Sequence, residues 1–578
     1  MLNNVIMKLD IKNLMICAAA SAWILSSCSG EKGEDGPSHN PDRYETINIT
    51  PDKTTVLRNP LCGWVLYAGL GNDLSDFWKR YDSMESSVGP VNVTEYATTL
   101  LIRTSWGQLN PEEGVYVWQE GCNTIYAQRY KSLIAEARKR NMRVGFGYGI
   151  DSRDKHEFCT PLYVRDKGAK GYATKTGSME VWSPYPDDPV FQQCYEKFVH
   201  DFAQEINDPD HYEFVHGVGI GKWGEYHSCI YSTGDETPKK PVFEWVTSLF
   251  AKEFKIPIFI NYHRSLGSTK DGVNPDSEDM VQSAVNKGFG IGSGAFGMKT
   301  YYGSWEKNIA AKYRNIVPII AEGGWVKASH GDAPMRWESE GYKDWGDVRK
   351  GEFDMAREAR ANMMDFRYNE DVTVSETWSW FNEAYDLVEQ FIKDGNYRLY
   401  PAKVILPKEL TAGESEEIVH KWANVGYAYC PTNFKPFVGK YKVAFALLDA
   451  SGKPVKLFYD EEAQPHEWIK GSPKQYSFTV KADGIAPGEY TWAVGIVDYA
   501  SETKKNWYFY IGKRKLYIRR LAQTVKSDTE KIIVYEIIVQ KNMRTPLCRI
   551  LCSCIISRYR MFSGADSFRD SGNCRKEG

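Results

Sequence analysis

The pattern of apolar and polar positions changes once along the chain. Up to about residue 395, short continuous apolar runs alternate with stretches whose apolar residues recur at helical spacing. The runs are GWVLYAGL (63–70), TTLLIRTSW (98–106), RVGFGYGI (143–150), HGVGIGKWGEY (216–226), IPIFINYH (256–263), GFGIGSGAFG (288–297), IVPIIAEGGW (316–325) and VTVSETWSWF (372–381). Continuous runs suit parallel strands covered on both faces, where alternating ones suit half-exposed strands. Between them AQRYKSLIAEARKRN (127–141), FQQCYEKFVHDFAQEI (191–206) and FDMAREARANMMDF (353–366) read as helices. Eight strand–helix repeats predict an α/β fold, a TIM (β/α)8 barrel over residues 45–395. The connection from the third run to the fourth is long, carries KHEFCTPLYVRDKGAKGYATK, and reads as an active-site loop.

Beyond 395, RLYPAKVILP, EEIVHKWANVG, KYKVAFALLD, QYSFTVKA and GEYTWAVGIVD are separated by turn segments such as DASGKP and ADGIAPG. They predict a C-terminal antiparallel β-sandwich over 396–512, packed against the barrel in preference to binding glycan by itself. NWYFYIG (506–512) completes it. Residues 513–578 form an atypical basic tail holding four of the twelve cysteines. No second ligand pair matches its CxC spacing, so the tail is expected to be dispensable for activity and stability.

At the other end, Lys8 and Lys12 precede an apolar run, Leu14–Leu25, too short to span a bilayer. The run ends in Leu25-Ser26-Ser27-Cys28 and resembles a bacterial lipoprotein signal peptide (residues 1–28), read from Met1 or Met7. That resemblance implies lipidation of Cys28. Residues 29–44 include SGEKGEDGPSHNPD, too polar to bury a core, and are expected to be a disordered tether. Its acidic residues resemble the surface-export signal of Bacteroidetes lipoproteins. The implied location is the outer membrane, facing the cell exterior, with a periplasmic orientation as the alternative.

Composition narrows the function. A net charge of −3, without basic runs interleaved with aromatics in the body, argues against nucleic acid as a partner. The 18 Trp and 36 Tyr serve either large cores or sugar platforms. No CxxC pair or Cys/His cluster has zinc spacing in the body, so neither a metal nor a cofactor is expected.

A barrel of this kind places its chemistry at the C-terminal ends of its strands. Strand two ends in Arg103-Thr104-Ser105-Trp106, and strand three leads to Asp151. Strand four delivers Trp223, Glu225, Tyr226 and His227, and strand five delivers Asn261 and His263. Strand seven brings Glu322 and Trp325, and strand eight Glu376, Trp378 and Trp380. Glu225 and Glu322 face each other across the mouth, and paired carboxylates can flank a glycosidic bond. The acid of such a pair needs a partly apolar pocket, which Trp223 and Tyr226 would supply. The nucleophile needs a cation, for which Arg103 is placed. Asp151, His227, Asn261 and His263 are candidate substrate contacts, or else hydrogen-bonded rim residues. Glu376 is a substrate ligand or a partner of Arg103. Trp106, Trp223, Trp325 and Trp380 are sugar platforms or core.

These residues resemble clan A of the retaining glycoside hydrolases, in which strand four carries the acid/base Glu and strand seven the nucleophile. Arg103 matches that clan's strand-two Arg. TSWGQLNPEEGVYVW (104–118) is similar to the strand-two loop of family 42-type β-galactosidases, and Trp380 matches the strand-eight Trp. Residues 50–512 more closely resemble the bacterial domain of unknown function family 4832, through NPLCGWVLY (59–67) and the WGE motif. The resemblance implies a surface-anchored retaining glycoside hydrolase acting on a poly- or oligosaccharide, with Glu225 as acid/base and Glu322 as nucleophile. One position departs from the clan: Gly224 stands where an Asn contacting the sugar 2-hydroxyl is usual. That departure favours the alternative, an inactive glycan-binding lipoprotein that uses the same cleft beside other glycan-utilisation proteins. Amide hydrolysis would ask for a metal or a Ser/Cys–His pair, and neither stands out.

Overall fold

The structure, a computed structural model, describes residues 39–152, 157–176, 179–270, 272–324, 329–330, 333–334, 340–366 and 375–499, and the strand Ala522–Lys526. Eight parallel strands close into a barrel in chain order. They are β1 (Gly63–Gly69), β2 (Ala97–Ser105), β3 (Arg143–Gly149), β4 (Tyr212–His216), β5 (Ile258–Asn261), β6 (Gly290–Phe296), β7 (Ile319–Gly323) and β8 (Met363–Phe366). The circle closes through β8 to β1, with Met363 opposite Gly63 and Phe366 opposite Leu66.

The surrounding helices are set by local chemistry. Helix α1 (Ile125–Lys139) starts where the Thr124 side chain accepts from the Ala127 amide. Helix α2 (Pro189–Ile206) starts at Asp188, whose carboxylate accepts from the Val190 and Phe191 amides, with Pro189 in the first turn, where its missing N–H costs nothing. Then follow α3 (Lys239–Glu253), α4 (Ser277–Lys287), α5 (Ser304–Tyr313), α6 (Trp345–Ala359) and α7 (Ser375–Glu383). Among the described residues no helix is long and apolar enough to cross a membrane.

Two barrel strands differ from their sequence reading. The fourth is Tyr212–His216, so His216 closes it and does not open it. GVGIGKWGEY is a loop, because its glycines 217, 219, 221 and 224 all take positive φ. The eighth is Met363–Phe366, which reads as the tail of a helix only because Met363, Met364 and Phe366 prolong the apolar spacing of α6. That helix ends at Ala359, with Arg360 left-handed at φ 55°. The segment taken for strand eight holds α7, so Glu376, Trp378 and Trp380 are helical residues.

The sandwich has a four-stranded sheet of Tyr44–Asn48, Leu399–Pro407, Ser415–Asn424 and Lys474–Lys481. Its first strand comes from before the barrel, which moves that domain boundary: residues 44–48 pair with Leu399–Pro407. The second sheet is ordered Leu410–Thr411, Ala522–Lys526, Glu489–Asp498, Tyr441–Leu448 and Pro454–Asp460. Trp422 stacks on Trp468 with centroids 4.7 Å apart, and Val443, Phe445 and Leu447 fill the space between the sheets. The sandwich meets the barrel at the strand starts. Tyr441, Phe437 and Lys440 line a small cavity with Arg143 and Glu213, the ion pair at the beginnings of β3 and β4. It therefore packs on the face opposite the mouth and leaves the strand ends to the barrel loops.

Ala522–Lys526 overturns the expectation that the sandwich ends at 512. It pairs antiparallel with Glu489–Thr491 and parallel with Leu410–Thr411. Truncation after Gly512 should open that edge and lower the sandwich's melting temperature by about 4 °C or more. Truncation after Lys526 should not. Calorimetry on both forms checks this; equal melting of all three chains would show that the strand contributes nothing. The six cysteines among the described residues are unbridged.

Candidate active site

The mouth is organised by glycines that make room for polar side chains. On β2, Arg103 lies opposite Gly147 of β3, and a Cβ at Gly147 would stand 2.8 Å from its Nη1. On β6, a Cβ at Gly292 would stand 2.4 Å from Nε2 of His216. At Gly294 the three atoms nearest to a Cβ would be carboxylate oxygens: Glu225 Oε1 at 3.6 Å, Glu225 Oε2 at 3.8 Å and Glu322 Oε2 at 3.9 Å. The two acids thus converge on one point over β6. Two of their oxygens lie 3.6 Å and 3.9 Å from a single point, so they are at most 7.5 Å apart.

Glu322 sits on β7 and is 2 % exposed, with Nδ1 of His216 3.6 Å from its Oε2. The next amide, Gly323 N–H, donates to Oδ1 of Asp365 on β8 at 2.8 Å. Glu225 lies nine residues beyond β4 and is 20 % exposed. Its Oε1 accepts from Nη2 of Arg103 at 2.7 Å. This pairing differs from the expected one, in which Arg103 serves Glu322. A guanidinium at that distance favours the ionised carboxylate.

The loop holding Glu225 is strained and heavily pinned. Trp223, Tyr226 and Ser228 take φ of 56°, 58° and 47°, a region that residues with a Cβ seldom adopt. Backbone bonds from Ile150 N to Gly219 O and from Trp223 N to Asp151 O tie the loop to the end of β3. Lys222 forms a buried ion pair with Asp151 at 2.6 Å. Asp151 also accepts from Tyr172 Oη and Ser183 Oγ, on a hairpin of Gly171–Thr176 and Met179–Pro184. That hairpin is the long connection read as an active-site loop, and Asp151 anchors it to the Glu225 loop. Gly224 has a steric explanation. At φ 78°, a Cβ there would lie 1.9 Å from Tyr148 O, so no Asn fits. Gly224→Ala should therefore lower the barrel's melting temperature by about 4 °C or more. An unchanged calorimetric transition would refute the steric account.

The remaining candidates divide into two groups. Trp223, His227 and His263 gather beside Glu225: His227 lies 5.9 Å from Trp223 and 5.4 Å from His263, centroid to centroid. His263 Nε2 lies 3.2 Å from the Glu225 carbonyl, and its Nδ1 is 3.2 Å from Ser265 Oγ. Asn261 is buried at the end of β5, and its Oδ1 has no hydrogen-bond partner among the described residues. The second group is turned away from the mouth. Trp106 is fully buried among Tyr195, Phe198 and Phe191 of α2. Trp380 packs edge-on against Trp64 at 5.0 Å, under the Arg349 guanidinium. Glu376 is 1 % exposed and pairs at 3.8 Å with Arg349, and not with Arg103, which was one of the two roles expected of it. Tyr226 buries its ring against Phe243 and donates to Lys239 O, so it lends Glu225 no pocket. Trp325 and Cys28 lie outside the described residues.

His216, Gly292 and Gly294 escape a reading based on strand ends. His216 is lost because it is assigned to the wrong end of its strand, and glycines offer no side chain to notice. Among the described residues no group of three or more His, Cys, Asp or Glu side chains is arranged to hold a metal.

No family model and no curated protein matches the chain. Solved structures do. Endo-glycoceramidase II from Rhodococcus sp. is 12 % identical over 75 % of this chain and 100 % of its own, at a TM-score of 0.34. An exo-beta-1,4-mannosidase from an Opitutaceae bacterium is 11 % identical over 60 % of this chain and 62 % of its own, at 0.36. A GH30 endoxylanase from Clostridium papyrosolvens is 9 % identical over 74 % and 95 %, at 0.32.

Proposed function

We propose that the chain is a glycoside hydrolase in which Glu225 and Glu322 flank the scissile bond. The observation carrying this reading is the convergence of both carboxylates on one point over Gly294. Retaining pairs stand about 5–5.5 Å apart and inverting pairs about 6.5–9.5 Å, so the 7.5 Å limit admits both. We assign Glu322 as nucleophile, since it is enclosed and fixed on a strand. We assign Glu225 as acid/base, since a loop carboxylate at 20 % exposure can meet first the leaving group and then water. With Gly224 unable to carry a side chain, we assign the 2-hydroxyl contact to Asn261, which is buried at the end of β5 with its Oδ1 without a partner among the described residues.

The Arg103–Glu225 ion pair favours a second assignment, in which Glu225 is the ionised nucleophile and Glu322, desolvated by burial, is the acid. The lipid anchor at Cys28 and the surface location rest on the sequence alone. The first test is a panel of aryl glycosides and polysaccharides, with NMR detection of the anomer released. Turnover with retention supports the proposal. Binding without turnover would move the reading to an inactive glycan-binding protein. Neither binding nor turnover would sink both.

A further inference from the structure

His216 is a buried titratable group that this two-carboxylate reading does not use. It ends β4, with Gly147 of β3 on one side and Phe259 of β5 on the other, and is 1 % exposed. The barrel fixes its ring from two directions. The Gly292 backbone abuts Nε2, so closely that a Cβ would come within 2.4 Å. On the other side Nδ1 approaches Glu322 Oε2 at 3.6 Å, and both side chains are excluded from water. Two polar groups held so close by rigid strands, in a region of low dielectric, interact far more strongly than a surface pair would. A separation slightly beyond hydrogen-bond length is usual for catalytic contacts in unliganded proteins, which tighten when substrate binds.

We propose that His216 is a positioning residue whose Nδ1 holds Glu322 in its orientation and favours the carboxylate's ionised form. The sign is the same whether the ring is a neutral donor or a cation. A hydrogen bond to the charged form and an opposite charge both lower a carboxyl's pKa. The other charged groups on the elements around this pair are Arg103 from β2, Glu225 from the loop after β4, Asp365 from β8 and the Arg349–Glu352 ion pair of α6, whose carboxylate lies against Gly323. Asn261 of β5, paired with Gly292, contributes a neutral dipole. The catalytic consequence rests on the hydrolase reading, but the pairing itself does not.

The test therefore reads Glu322 directly. The full chain would be labelled with 13Cδ-glutamate, and Glu322 assigned by comparison with Glu322→Gln. In His216→Ala the carboxyl should titrate at a higher pH, by about one unit or more. His216→Asn keeps a side-chain nitrogen close to the place of Nδ1 and should recover most of that shift. Should His216→Ala fail to fold, the 15N titration of His216 in Glu322→Gln against wild type reads the same coupling from the other partner. A Glu322 titration that stays put in His216→Ala while the melting temperature falls would make His216 a core residue and overturn the proposal. Where glycosides are hydrolysed, the acidic limb of kcat/KM should move up with the carboxyl, and KM should hold. If no glycoside is hydrolysed, the hydrolase reading fails, and the carboxyl titration still decides the role of His216.

Discussion

Glu322→Gln is expected to reduce the turnover of every aryl glycoside the wild type accepts, by on the order of 10⁴-fold or more, because the amide cannot form the glycosyl-enzyme bond. Glu225→Gln should behave differently. Losing the general acid costs about 10²–10⁴-fold when the leaving group is a sugar or simple phenol that must be protonated as it departs. With dinitrophenolate, which leaves unprotonated, the first step should run near the wild-type rate, and the glycosyl-enzyme should then accumulate for want of a base to activate water. Added azide should rescue the two variants with opposite anomeric outcomes. Glu225→Gln would give the glycosyl azide with retained configuration, and Glu322→Gln the inverted one. Steady-state kinetics across a series of leaving groups, with NMR of the azides, check all of this. The mirror-image pattern would transfer the nucleophile's role to Glu225, in keeping with its Arg103 ion pair. Full activity in either variant would remove that carboxylate from the chemistry.

The barrel was legible because its strands are buried on both faces and so read as continuous apolar runs. Six of the eight coincide with such runs. The other two were misread for identifiable physical reasons. Met363–Phe366 has only four residues, too few for a pattern of its own beside a helix whose apolar spacing runs into it. The loop after His216 looks like a strand, since Val218 and Ile220 alternate with glycines, and only the backbone reveals that those glycines are left-handed. Both carboxylates were legible nonetheless, because Glu322 does end a strand and the loop returns Glu225 to the mouth. What the sequence hides are partnerships across the barrel. Arg103 reaches Glu225 and Arg349 takes Glu376, a pairing set by strand register and helix position and absent from any local pattern. The sandwich borrows strands from residues 44–48 and 522–526, and composition drew its limits short of both.

Gly294→Ala should lower kcat/KM by about 10²-fold or more while leaving the fold intact. A reacting carbon must come within about 3–3.5 Å of its nucleophile. The Cβ of an alanine at 294 would stand 3.6 Å from Glu225 Oε1 and 3.9 Å from Glu322 Oε2, so the methyl would occupy the space the anomeric carbon needs. The same distances make the substitution harmless to the barrel. They are ordinary van der Waals contacts, the nearest atoms beyond the chain neighbours stand no closer than 3.6 Å, and the position has no left-handed φ. Restricting the unfolded chain should even offset part of any loss, so the melting temperature should stay within about 2 °C of wild type. Kinetics and calorimetry on one preparation separate the two effects. Glycan binding should weaken along with turnover, because the methyl excludes the sugar before any chemistry. Normal kinetics in a folded Gly294→Ala protein would mean that the scissile bond does not lie between Glu225 and Glu322. The two carboxylates would then be neighbours for a structural reason, and the search for a reacting pair would have to start again from the strand ends.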